Sequence, residues 1–126
     1  SNILLYAIEY GSSKNARAKT LINAGGTVSV QVLNEFIDVA KRKGVLPLPD
    51  IIEALAAITD GLVVVPLTGE VHKRGVEIAL VTNFRIYDCT IIAAAELSGC
   101  DVLYTEDMNH GQRVGAVVIR NPFVAG

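Results

Sequence analysis

Apolar positions along this chain fall into short blocks whose period alternates between that of a strand and that of a helix. "TVSV" (27–30) reads as a short strand, and "QVLNEFIDVAKRKG" (31–44) as an amphipathic helix. In the helix Leu33, Phe36, Ile37 and Ala40 share one face, and Gly44 is placed to stop it. "LPLPDIIEALAAI" (46–58) opens with prolines suited to a first helical turn. The unbroken run "LVVVPL" (62–67) predicts a strand buried on both faces. Thr68 is placed to cap a helix reaching about Val81, with Glu70 and Glu77 near its polar side. Asp88 is placed to start the helix "DCTIIAAAEL", which Ser98-Gly99 ends, and "DVLYT" (101–105) and "GAVVIRNP" (115–122) are the last strands. At the front, the apolar run after Ser1 is too short to assign by period. Its β-branched content is low, and Ser1 or Asn2 could cap a helix. Gly11-Ser12-Ser13 interrupts it, and Lys14 to Asn23 predicts a helix ending at Gly25-Gly26.

Strands alternating with helices predict an α/β fold, a three-layer α/β/α sandwich around a central parallel sheet. A chain of 126 residues suits one domain with a real core, spanning 1–126. Hydrophobic residues make up 51% and aromatics only 6%, so aliphatic side chains must fill that core, as buried parallel strands and layered helices prefer. No apolar run approaches a membrane span. Cys89 and Cys100 form no metal-type pair and read as free thiols of a reducing cytosol. A net charge of −2 argues against a dedicated nucleic-acid scaffold, but not against an enzyme that grips nucleic acid briefly. The basic groups Lys14–Arg17–Lys19, Lys41–Arg42–Lys43 and Lys73–Arg74 read as solvated helix ends.

Ligands of parallel α/β sheets gather beyond the carboxyl ends of the strands. Three carboxylates are expected there: Glu35 after the strand at 27–30, Asp107 after the strand at 101–105, and Asp88 at the start of the helix leading into that strand. Crowded carboxylates repel one another and hold protons more tightly; a divalent cation relieves this, and Mg²⁺ takes oxygen ligands of this kind while keeping several waters. Each residue has a plainer use as well. Asp88 could cap its helix, Asp107 could close a turn before Gly111, and Glu35 could lie solvated beside the apolar face. Glu106 reads as exposed, with no ligand role, and His110 as a turn residue. Arg85 could meet a phosphate or a surface carboxylate. No P-loop, dinucleotide fingerprint or nucleophile elbow is present, and His72 and His110 lack a spaced partner for zinc.

Four stretches, "SNILLYA", "VSVQVLNEF", "YDCTIIAAAELSGCDVLYTEDMNHG" and the closing "NPF", resemble in order the PIN-domain ribonucleases, and within them the VapC-like toxins of toxin–antitoxin pairs. The segment 87–111 is the most specific. The resemblance implies a metal-dependent endoribonuclease that cleaves single-stranded or loop RNA with Mg²⁺ or Mn²⁺. Glu35, Asp88 and Asp107 match its acidic metal-site and catalytic residues, converging on a shared ion, and Asn2 and Thr105 match polar neighbours that orient them. It further implies a homodimer in the cytoplasm and a small antitoxin that masks the site, expected to insert an Arg. The family begins with a central strand ending in Asp, so such a strand is expected directly before Ser1. Ile3 to Glu9 would then be a helix, with a gap between the strands at 27–30 and 101–105. Two rivals stand beside this reading. One is a non-catalytic RNA-binding or interaction module of the same fold. The other is a phospho-acceptor receiver domain, disfavoured because "LVVVPL" ends without Asp and no strand ends in Lys.

Overall fold

The structure, a computed structural model, describes residues 2–9 and 11–124, with nothing described of the Asn2 side chain. In chain order the elements are α1 (Asn2–Ile8), α2 (Asn15–Asn23), β1 (Gly26–Ser29), α3 (Val30–Lys43), α4 (Leu48–Thr59), β2 (Leu62–Val65), α5 (Gly69–Val81), α6 (Ile86–Leu97), β3 (Val102–Tyr104), β4 (Arg113–Val114) and β5 (Val117–Arg120). The ambiguous front segment is a helix. Its side chains serve two clusters: Ile3 and Ala7 meet Ala18 of α2, while Leu4 and Leu5 join α3, α4 and Ile91 of α6. Asn15 supplies part of its C-terminal cap, Nδ2 donating to the Tyr6 and Ala7 carbonyls at 2.7 and 3.2 Å. The expected cap at Ser1 lies outside the described residues.

The other start and stop signals act locally. Ser29 Oγ accepts from the Val32 N–H at 3.2 Å to cap α3, and Thr68 Oγ1 accepts from the Val71 N–H at 3.1 Å to cap α5. Gly44 ends α3 in the left-handed conformation, φ 63°, which glycine adopts without cost. Asp88 is different. Helix α6 begins two residues earlier, with Arg85 at the cap position, so Asp88 is a first-turn residue and not the cap.

Helix α6 is the axis of the core. Six consecutive residues, Cys89 to Ala94, are buried, as expected of a helix that is apolar all round. Cys89, Ile92 and Ala93 pack with Val71 and Ile78 of α5, Val114 of β4 and Ile119 of β5. Close approach of α5 to α6 requires Gly75, where a Cβ would meet Thr90 Cγ2 at 2.9 Å. No single helix among the described residues is long and apolar enough to cross a membrane. The α5–α6 pair, which would pass together, is bent by 120°.

The parallel order is present, but the sheet is in two parts. β1 pairs with β2 in parallel, and β3 pairs with β5 in parallel, with β4 antiparallel on the far side of β5. The predicted last strand, 115–122, contains β5; β4 precedes it and was not expected, and a turn at Gly115 (φ 56°) joins the two. β2 departs from expectation as well: Val63 is 64% exposed and Val64 42%. Its apolar run suited a doubly covered strand, but β2 is the outer edge of a two-stranded sheet, with α4 its helical neighbour.

A three-way contact ties α5, α6 and the hairpin together. Glu96 accepts from Arg74 Nε at 2.5 Å, from Arg74 Nη2 at 3.3 Å and from the Ala116 N–H at 2.9 Å. These bonds, led by Arg74, hold the Glu96 carboxyl below its ordinary pKa. A lowered carboxylate pKa stabilises the fold above the ordinary carboxylate range, and this is lost as pH falls through the lowered value. Glu96→Gln is therefore expected to melt a few degrees lower at pH 7, for roughly 1 kcal/mol of lost charged hydrogen bonding. The difference should shrink toward pH 3. Thermal melts across that range check it, and a constant difference would remove Glu96 ionisation as the cause.

Candidate metal and RNA site

Glu35, Asp88, Thr105 and Asp107 line one cleft of about 290 Å³. Its walls are the residues of β1 and of β3, with Ile3 and Leu4 of α1 beside them. Among the described residues β1 pairs only with β2 and β3 only with β5, so two strand edges border this space without a strand between them. The carboxylates stand toward its C-terminal end, where the first turn of α6, the second turn of α3 and the turn after β3 meet.

Each residue arrives by a different local route. Glu35 lies on α3 one turn after Gln31, whose Nε2 donates to Glu35 Oε1 at 3.5 Å. Asp88 is half-buried in the first turn of α6, where the helix dipole favours negative charge. The environment opposes that preference: burial raises its pKa, and repulsion from Glu35 and Asp107 raises it further, with Arg85 partly compensating. Arg85 itself lies 5.3 Å from the centre of the Tyr87 ring. Thr105 is buried; its N–H donates to the Arg120 carbonyl at 3.0 Å, and its Oγ1 accepts from the Asp107 N–H at 3.2 Å. That bond, rather than one from the Asp107 carboxylate, closes the turn. Neither the Asp88 nor the Asp107 carboxylate accepts a hydrogen bond from a described residue, so both are open to a ligand.

The three carboxylates share a cleft and feel one another, but no three described His, Cys, Asp or Glu side chains close around a single point. The donor set is all oxygen, which fits a hard divalent ion that retains waters and fits poorly a closed thiolate or imidazole cage. Both cysteines are free, Cys89 buried and Cys100 half-buried. His110 Nδ1 accepts from the Asn121 N–H at 2.9 Å and so fastens the turn. Asn2 starts α1, whose next two residues line the cleft; its side chain lies outside the described residues.

Glu106 was expected to be exposed, and it is not. Its side chain is 14% accessible and bonded to Tyr6 and Lys14. The signal in the sequence was faint: a second acid beside Asp107, with its partners about a hundred positions away.

An α/β domain with carboxylates gathered at the C-terminal ends of parallel strands is thus the class that fold and site define. The chain belongs to the PIN-domain family, whose model matches residues 1–114. Three solved structures share the fold. They are VapC20 of Mycobacterium tuberculosis, a Sarcin-Ricin loop cleaving toxin (17% identity, 80% of this chain and 82% of that one, TM-score 0.65); a toxin–antitoxin complex from Klebsiella pneumoniae (18%, 95% and 92%, TM-score 0.69); and VapBC2 from Rickettsia felis bound to a promoter DNA fragment (15%, 95% and 93%, TM-score 0.67). No curated protein matches the chain.

Proposed function

We propose that the chain is a divalent-metal-dependent endoribonuclease cleaving single-stranded or loop RNA, the toxin of a toxin–antitoxin pair. The observation that carries this is the convergence of Glu35, Asp88 and Asp107, from three separate elements, on one cleft of a PIN-family chain. These residues would hold Mg²⁺ or Mn²⁺. When bound, such an ion supplies Lewis acidity, making water a stronger acid and neutralising charge on a phosphate. The chain's own residues bind and orient. Thr105 fixes the turn that presents Asp107, and the positive charge of Arg85 partly offsets the repulsion at Asp88. The fold shared with a Sarcin-Ricin loop cleaving toxin supports RNA as substrate, and that shared with a toxin–antitoxin complex supports a small antitoxin partner. Exposed Val63, Leu80 and Val81 offer apolar area for such a partner or for a second copy.

One observation favours a second reading, a non-catalytic module of the same fold: the described side chains form no ready three-donor group. Cleavage assays on structured RNA with Mg²⁺ or Mn²⁺, with and without EDTA, separate the two. The nuclease reading expects cleavage that EDTA abolishes and added metal restores. Absence of cleavage under all conditions, with RNA still bound, would establish the module instead.

A further inference from the structure

The turn that presents Asp107 is gripped on its other side. Glu106 does not line the cleft. Its Oε1 accepts from Tyr6 Oη at 2.5 Å, and its Oε2 accepts from Lys14 Nζ at 2.8 Å. Lys14 Nζ lies 4.9 Å from the centre of the Tyr6 ring and 5.2 Å from that of Phe123, and the two rings meet edge-on at 5.4 Å. Helix α1, the α1–α2 connection and the turn after β3 are thereby joined at one carboxylate, and Phe123 of the C-terminal segment packs against two of its partners, Tyr6 and Lys14.

Along that turn Thr105 is buried and bonded to β5, and Met108 is buried in the core around α6. With Glu106 clamped, Asp107 is the one residue of 105–108 whose side chain is exposed. A solvated turn would let a repelled carboxylate swing into water. A turn fixed at three of its four residues keeps it at the cleft, and ligand groups held to within about 0.5 Å are what a metal site needs.

We propose that Glu106 is a positioning residue: the Tyr6–Glu106–Lys14 clamp sets the direction of Asp107 toward the cleft and so tunes its affinity for a divalent ion. This rests on the metal-site reading above. Charge-assisted bonds of this kind behind a ligand typically change metal affinity by about 10–100-fold when removed.

The test is Mn²⁺ binding to the whole chain, measured by calorimetry without RNA, together with thermal melts. Glu106→Ala is expected to weaken Mn²⁺ binding by about tenfold or more, while turnover at saturating Mn²⁺ changes much less. Tyr6→Phe and Glu106→Gln, which keep the shapes, should lie between Glu106→Ala and the wild type, and they carry the test if Glu106→Ala does not fold. Folded variants that melt lower but bind Mn²⁺ as the wild type does would overturn the proposal, leaving a purely structural clamp. Asp107→Asn separates the levels. If it loses Mn²⁺ and the Glu106 variants do not, positioning alone fails; if it too binds normally, the metal site itself fails.

Discussion

Asp107→Asn is expected to cut RNA cleavage by on the order of a thousandfold or more while leaving the melting temperature nearly unchanged. The substitution keeps shape and removes one charge. Several kcal/mol of charge stabilisation is what a bound divalent ion contributes to such a reaction, and each 1.4 kcal/mol or so is tenfold in rate. The fold should not suffer, because the carboxylate is exposed and accepts no hydrogen bond from a described residue, while the turn is closed by Thr105. Asp88→Asn should cost similar activity but raise the melting temperature. Burial and two like charges push the Asp88 pKa up. A raised carboxylate pKa means that stability present below the ordinary carboxylate range is lost as pH rises through the raised value, so the gain from Asn should appear at neutral pH and fade in acid. Rates and melts measured together decide the matter. Wild-type cleavage by Asp107→Asn would remove Asp107 from the site, and a lowered melting temperature for Asp88→Asn would show that its charge stabilises the fold.

Extending the chain ahead of Ser1 by a short apolar strand ending in Asp should raise the melting temperature by about 10 °C or more. Among the described residues β1 pairs only with β2 and β3 only with β5, so each leaves an edge toward the cleft, and α1 lies beside it, with Ile3 and Leu4 in its lining. A strand entering parallel to both would pair backbone groups on its two sides, each worth roughly 1 kcal/mol, and bury apolar side chains beneath α3 and α6. For a domain of this size, each kcal/mol moves the midpoint by a few degrees. The terminal Asp would arrive at the end where Glu35, Asp88 and Asp107 stand, so the extended chain should also bind Mn²⁺ more tightly. An extension carrying Pro in mid-strand, which cannot complete the ladder, serves as the control. Equal melting of the two extended chains would show that the cleft does not accept a strand.

How much of this was legible beforehand follows from the range of each interaction. Caps and stops at Ser29, Thr68 and Gly44 act over three or four residues, so their residue types suffice to place α3 and α5. The period of Phe36 and Ala40 likewise picks out the face that α3 buries. Glu35, Asp88 and Asp107 could be brought to one edge in thought because parallel topology sends every strand's carboxyl end the same way. Interactions across the chain were not legible. Nothing near Glu106 announces bonds to Tyr6 and Lys14, 100 and 92 positions away. The run at 62–65 is as apolar as a doubly covered strand, yet whether a strand is covered depends on what lies beside it: among the described residues β2 pairs only with β1, with α4 beside it and Val65 packed against the core around α6. Asp88 looked like a cap because its type allows it; the helix instead starts at Ile86, and the packing of Cys89 to Ala94 on both sides of α6 holds Asp88 at the cleft. The sequence by itself therefore determined the elements, their order and the acidic edge, all of which rest on local geometry and chain direction. Only the tertiary structure decided which edges stay open, which carboxylate is clamped and which are left for a ligand, because those outcomes depend on contacts between residues far apart in the chain.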